Sequence, residues 1–122
     1  MIQKKDPLSK SFRYAFWGIL TGIRKERNMK IHCCAAVLVV IAGFLFDISL
    51  TEWCICLLLF GLVMALELVN TAVEAVVDLV TVERHPLAKI AKDTAAGAVL
   101  LAAIIATVIG CIIFIPKLLA FL

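Results

Sequence analysis

Apolar residues recur along this chain in four blocks that are separated by short polar segments. In the first block, residues 9–29, Phe12, Phe16, Ile19 and Ile23 recur at the spacing of an α-helix, with basic residues elsewhere around it. A helix with aromatic residues on one side and lysine or arginine on the other is typical of the membrane interface. We therefore predict an amphipathic surface helix over this block.

The other three blocks are long and apolar enough to cross a bilayer, whose hydrocarbon core takes about 20 helical residues. The predicted division of the chain is a tail at 1–8, the surface helix at 9–29, transmembrane helices at 30–47, 50–80 and 94–116, and a cytoplasmic loop at 81–93. The second transmembrane helix is expected to extend beyond the membrane, and Pro116 to close the third. The predicted fold class is all-α, an integral membrane protein of one domain.

Composition agrees with this division, because 64% of the 122 residues are hydrophobic and only 17% are charged. A soluble chain of this length could not bury so much apolar surface. The five cysteines all lie in apolar runs without metal-ligand spacing, so we interpret them as packing residues.

The positive charges are unevenly placed and predict an orientation. Eight of the 12 lysine and arginine residues precede the first long apolar run, the segment 47–52 has two acids and no base, and the segment 80–93 has three bases. By the positive-inside rule, the N-terminus is cytoplasmic and the C-terminus lies outside. The same rule explains the basic N-terminal region without a nucleic-acid partner.

Four polar side chains interrupt the second transmembrane helix on one face. At 100° per residue, Asn70, Glu74 and Asp78 lie about −60°, −20° and +20° from Glu67 around the helix. Glu67 is also about 21–26 Å from the start of the helix, within the inner third of the hydrocarbon core. An ionisable residue at such a depth is a candidate functional site.

This row has the components needed for phosphoryl transfer. Carboxylates near the interface could hold Mg²⁺, which usually also binds a substrate phosphate, and a deeper carboxylate could act as a general base. Lys92 and Asp93 lie where the third helix enters the membrane on the same side. No nucleotide-binding loop or protein-kinase signature occurs, but phosphoryl transfer depends mainly on positioning and charge.

A small oligomeric proton or cation transporter is the alternative of another class, with Glu67 and Glu74 as a relay. A relay should place polar groups along a whole helix, yet the segment 53–66 carries no charge. The pattern therefore favours a site that opens to one side of the membrane.

The motif Glu67-x-x-Asn70-x-x-x-Glu74-Ala-Val-Val-Asp78, followed by Ala91-Lys92-Asp93, resembles the prokaryotic diacylglycerol kinase family. The segment Glu26-Arg-Asn-Met-Lys-Ile-His32 resembles the Gram-positive branch, whose members are undecaprenol kinases. The resemblance covers about 12–115 and implies a bacterial plasma-membrane enzyme that transfers the γ-phosphoryl group of ATP to a lipid hydroxyl. It also implies Mg²⁺ and a homotrimer with shared active sites. Undecaprenol is the expected acceptor, and diacylglycerol the alternative.

The resemblance also implies roles for individual residues. Glu67 is the expected general base and a contact of the lipid substrate, and Asn70 a positioning residue beside it. Glu26 and Glu74 are the expected metal ligands. The expected nucleotide contacts are Tyr14, Glu26, Glu74, Glu83, Arg84, His85, Lys92 and Asp93. Trp53 is a candidate substrate contact, although an anchor at the membrane interface is the simpler interpretation.

Overall fold

The computed structural model describes residues 7–122, which form helices joined by short turns. The helices are α1 (Leu8–Lys25), α2 (Arg27–Leu45), α3 (Leu50–Val80) and α4 (Pro86–Phe121). Three of them, α2, α3 and α4, are long and apolar enough to cross a membrane. The described residues therefore confirm an all-helical chain with three potential membrane helices. Residues 1–6, most of the predicted tail, lie outside the described part.

The break between α1 and α2 lies at Glu26, three residues before the predicted end of the surface helix. Glu26 has an extended backbone, with φ −93° and ψ 120°. Packing explains the early break. A Cβ at Gly22 would lie 2.5 Å from Leu68 Cδ2, so α1 approaches α3 very closely there. On the other side of the break, Met29 is completely buried.

The turn between α2 and α3 is closed by backbone and side-chain caps. The N–H of Ile48 donates to Gly43 O at 3.1 Å, and the N–H of Asp47 donates to Phe44 O at 3.4 Å. This is a Schellman pattern, with Asp47 in the left-handed conformation (φ 51°) that aspartate tolerates. Ser49 and Glu52 then form a reciprocal capping box that begins α3.

The antiparallel helices α3 and α4 form the most extensive helix pair. An ion pair joins them at each end: Glu52 Oε2 is 2.9 Å from Lys117 Nζ, and Asp78 Oδ1 is 2.6 Å from Lys92 Nζ. These two ion pairs therefore fix the register of α3 and α4 at opposite ends of the helix pair.

Helix α4 is longer than the predicted transmembrane segment at both ends. It begins at Pro86, because proline suits the first helical position and His85 Nδ1 accepts a hydrogen bond from the Leu87 N–H at 3.1 Å. The polar connection is therefore only 81–85. At the other end α4 continues through Pro116 to Phe121, since neighbouring groups let membrane helices tolerate a proline.

Few apolar side chains are buried within the single chain. Val63, Val99, Ala102 and Ile113 are among them, whereas most large apolar residues of α2, α3 and α4 are exposed. Exposed apolar area of this extent suits contact with lipid or with further protein chains.

Gly43 and Gly61 provide a matched test of the packing at the α2–α3 turn. A Cβ at Gly43 would lie 2.5 Å and 2.7 Å from two ring atoms of Trp53, whereas nothing lies within 4 Å of one at Gly61. We expect Gly43→Ala to lower the free energy of unfolding by about 1–3 kcal/mol through overpacking. Gly61→Ala should leave it unchanged or raise it by up to about 1 kcal/mol. Thermal unfolding in detergent micelles measures both, and equal effects would contradict this packing.

Candidate active site

Polar side chains of α2 and α3 meet in a small chamber of about 230 Å³ that α4 also lines. We call it the polar chamber. It is lined by Asn28 and His32 of α2, Glu67 and Asn70 of α3, and Ala96 and Val99 of α4. The helical period of α3 turns Glu67 and Asn70 inward together, as their three-residue spacing predicts.

Glu67 is the most deeply buried polar residue of the chamber, with 1% of its surface exposed. Within residues 7–122, neither of its carboxylate oxygens has a hydrogen-bond partner. The nearest basic group is His32, whose Nε2 lies 3.8 Å from Glu67 Oε2, beyond hydrogen-bond distance. A buried carboxylate without partners is unfavourable, so this arrangement suits a group that meets a ligand.

Asn70, which lies between Glu67 and Glu74 on the same face of α3, is hydrogen-bonded to Glu74. Its Nδ2 donates to Glu74 Oε1 at 3.3 Å, and its Oδ1 is buried without a partner in the described chain. The amide nitrogen of Asn70 therefore orients Glu74, and the amide oxygen remains able to accept a hydrogen bond.

Glu26 and Glu74 both lie close enough to Glu67 for their charges to act on it. Both are half-buried, and one oxygen of Glu74 is not used by Asn70. Among the described residues, no group of three or more histidine, cysteine or acidic side chains could surround a metal ion. Two carboxylates nevertheless fit Mg²⁺, which usually binds through one or two carboxylates and completes its shell with water and substrate phosphates.

Lys92 and Asp93, two expected nucleotide contacts, are each engaged with another side chain. Lys92 binds Asp78, and Asp93 accepts a hydrogen bond from Lys89 one turn earlier in α4. Both acids are largely exposed. Asp78, to which the sequence assigned no role, therefore fixes the position of the Lys92 ammonium group.

The remaining expected nucleotide contacts lie on α1 and in the connection between α3 and α4. Tyr14 is exposed on α1, and Glu83 and Arg84 are exposed in the 81–85 connection. His85 caps α4 through its Nδ1. None of these four lines the polar chamber.

Trp53 lies far from Glu67, because 14 residues separate them along α3, or about 21 Å. Its ring packs 4.9 Å from that of Phe44 and lines an apolar groove of about 560 Å³. The apolar groove runs between α2, α3 and α4. It is lined by Val40, Trp53, Cys56, Phe60, Ala106 and Gly110, among other residues.

Two residues that sequence reasoning did not select, Asn28 and His32, line the polar chamber. His32 and Ala103 line both the polar chamber and the apolar groove, so the two spaces meet there. The sequence feature that could have drawn attention to His32 is its position about two turns after Glu26, at the start of a segment that is otherwise apolar. Its proximity to Glu67 depends on how α2 packs against α3 and could not be read from spacing.

Fold and site together define a membrane protein of three long apolar helices with a buried acidic site at one end. The family model described as prokaryotic diacylglycerol kinase matches residues 13–114. The chain belongs to this family, and it is a lipid kinase.

Individual relatives agree with this assignment. The undecaprenol kinase of Bacillus subtilis (strain 168) is 53% identical over 109 residues, which cover 89% of each chain. The diacylglycerol kinase of a Synechocystis species is 47% identical over 90% of this chain and 63% of its own length. The diacylglycerol kinase of Pseudomonas aeruginosa is 36% identical over 78% of this chain and 77% of its own.

Replacing the unpaired Glu67 carboxylate should change stability and activity in opposite directions. We expect Glu67→Met to abolish lipid phosphorylation and to raise the free energy of unfolding by about 1–3 kcal/mol, because it removes buried acceptors that have no partner. Glu74→Met is the matched control: Glu74 is half-buried and bonded to Asn70, so its loss should not stabilise the protein. Thermal unfolding of both variants in micelles is the measurement. A less stable Glu67→Met protein would show that Glu67 is paired in the assembled enzyme.

Proposed function

We propose that this protein is an undecaprenol kinase that transfers the γ-phosphoryl group of ATP to the hydroxyl of undecaprenol. The observation that carries this proposal is the buried Glu67 carboxylate, whose oxygens are unpaired within the described chain. It lines a polar chamber that shares His32 and Ala103 with an apolar groove. The 53% identity to the undecaprenol kinase of Bacillus subtilis supports undecaprenol over diacylglycerol as the main acceptor.

In this mechanism Glu67 is the general base. The lipid hydroxyl donates its proton to the Glu67 carboxylate while its oxygen forms a bond to the γ-phosphorus. The bond between that phosphorus and the bridging oxygen breaks, and ADP leaves with this oxygen. The products are the lipid phosphate, ADP and a proton on Glu67 that water later removes. A low-polarity position strengthens the carboxylate as a base, because water does not compete for it.

Glu26 and Glu74 would hold Mg²⁺. When bound, the ion neutralises phosphate charge and orients the transferred group. The chain's own contribution is orientation: Asn70 fixes one oxygen of Glu74, and Glu26, at the break between α1 and α2, supplies a second carboxylate near Glu67.

Lys92 would meet the phosphates of ATP. Asp78 holds its ammonium group at the end of α3, on the same side as Glu74. Tyr14, Glu83, Arg84, His85 and Asp93 are further proposed nucleotide contacts. The first four of these five residues do not line the chamber of their own chain, so a site shared between neighbouring chains accounts best for them.

The proposed assembly is therefore a homotrimer in the bacterial plasma membrane. Large exposed apolar side chains on all three long helices support contact with lipid and with other copies. In the proposed topology α1 lies on the cytoplasmic surface with its basic residues toward the headgroups, and the C-terminus is outside. Asp47 and Glu52 then face the exterior, and the acidic site opens to the cytoplasm.

The apolar groove offers a path for the lipid chain. It shares His32 and Ala103 with the polar chamber, and its volume of about 560 Å³ is that of an ordinary small-molecule site. A lipid whose hydroxyl contacts Glu67 could place the first part of its chain there. The ring of Trp53 would form the far end of that path.

The direct test is phosphorylation by the purified protein in mixed micelles, with ATP, Mg²⁺ and either undecaprenol or diacylglycerol. We expect faster turnover of undecaprenol, and at least about 10³-fold lower turnover for Glu67→Gln, which keeps the side-chain size but cannot accept the proton. Turnover should also require the divalent ion. Preference for diacylglycerol would overturn the acceptor, and turnover of neither lipid would overturn the proposed function.

The groove assignment has its own test in the length of the acceptor. Ala106→Phe should lower kcat/KM for undecaprenol by about tenfold, but affect a short prenol much less, because a bulky ring would fill the path of the long chain. Ile104→Phe is the control, since Ile104 does not line the groove. The same loss for long and short prenols would exclude the groove as the chain site.

A further inference from the structure

In the described part of the chain, His32 lines both the polar chamber and the apolar groove and also lies next to the Glu67 carboxylate. It lies near the start of α2, with its side chain 19% exposed, and it faces Glu67 across the α2–α3 contact. The mechanism proposed above gives it no role. Its ring nevertheless stands where the hydroxyl end of a lipid would pass from the groove into the chamber.

The distance between the His32 and Glu67 side chains suits one oxygen atom hydrogen-bonded to both. Nε2 of His32 and Oε2 of Glu67 are 3.8 Å apart, too far for a direct hydrogen bond. An oxygen atom about 2.8 Å from each would complete two good hydrogen bonds. That oxygen would accept from the imidazole N–H and donate its own proton to the carboxylate. A hydroxyl group has this donor and acceptor pair, whereas a carbonyl or ether oxygen has no proton to give.

The two amide side chains of the chamber, Asn70 and Asn28, are less suited than His32 to donate a hydrogen bond to this oxygen. Asn70 Nδ2 already donates to Glu74, and Asn70 Oδ1 can only accept. Asn28 is exposed and one turn further from the membrane interior than His32. His32 is therefore the donor that faces Glu67 from the helix packed against it, and it is the only basic group in the described chain within 4 Å of that carboxylate.

We propose that His32 positions the acceptor hydroxyl: its Nε2–H donates to the hydroxyl oxygen and directs the hydroxyl proton toward Glu67. This inference rests on the proposed kinase function and assigns the acceptor side of that site. The imidazole keeps its proton throughout, and the proton that is transferred goes from the lipid to Glu67. The hydrogen bond also leaves one lone pair of the hydroxyl oxygen free to attack the phosphorus.

The side chains of glutamine and asparagine separate this role from a structural one. The amide nitrogen of glutamine reaches approximately the place of Nε2, whereas that of asparagine reaches only the place of Nδ1. Both substitutions, His32→Gln and His32→Asn, replace the ring by a neutral amide at the same half-buried position. They therefore carry a similar risk to folding, and thermal unfolding in micelles compares them directly.

The measurement is steady-state phosphorylation of undecaprenol and of a short prenol by wild type, His32→Gln and His32→Asn, with lipid and ATP varied in turn. For His32→Asn we expect kcat/KM to fall about tenfold or more for both prenols, as expected for the loss of one hydrogen bond at the reacting atom. For His32→Gln the fall should be within about threefold. The KM for ATP should change less than about twofold in both variants.

The outcomes are distinct. Equal impairment of the two variants while wild type is active would overturn the role of His32 and leave the kinase function intact. The same holds for a loss confined to the long prenol, which would indicate a groove contact, or for a change in the KM for ATP alone. No lipid phosphorylation by wild type would overturn the proposed function, and with it the role of His32.

Discussion

Burial of the Glu67 carboxylate is the constraint around which the polar part of this molecule is arranged. In a low-polarity interior a charged oxygen is stable only when it is paired, hydrogen-bonded or hydrated. Here three ionisable side chains come close to Glu67 but do not bond to it: His32 on α2, Glu26 at the α1–α2 break and Glu74 two turns further along α3. The buried Glu67 carboxylate lowers the stability of the fold, and the apolar packing of the three helices has to offset this cost.

The two ends of the α3–α4 pair differ in how completely their polar groups are paired. At one end Glu52 is fully engaged: it caps α3 with Ser49 and forms an ion pair with Lys117. At the other end Asp78 and Lys92 form an exposed pair, but Glu67 and the Asn70 oxygen stay without partners among residues 7–122. This difference is the physical ground for placing the chemistry at the second end.

Sequence reasoning recovered the parts that depend on local periodicity. The bounds of α3 agree with the predicted 50–80 segment, and the helical spacing of Glu67, Asn70 and Glu74 is sufficient to predict that they share one face. It missed what depends on contacts between helices. The break at Glu26 follows from the close approach of Gly22 to Leu68, and the length of α4 follows from the His85 cap and the tolerance of Pro116. The position of His32 against Glu67 likewise results from the packing of α2 on α3, which no single-helix pattern contains.

The depth of the proposed base, Glu67, relative to the other groups also limits what the site can phosphorylate. ATP is highly charged and must stay near the aqueous surface, whereas Glu67 lies several residues deeper in α3 than Asp78, to which Lys92 is bound. Eleven residues separate these two acids, or about 16 Å along the helix axis. A soluble alcohol would have to leave water to reach Glu67, but a lipid alcohol is already at that depth. The same apolar surroundings that make the carboxylate costly therefore select a membrane lipid as the acceptor, and a site of this kind needs little further recognition of the substrate beyond its hydroxyl and its chain.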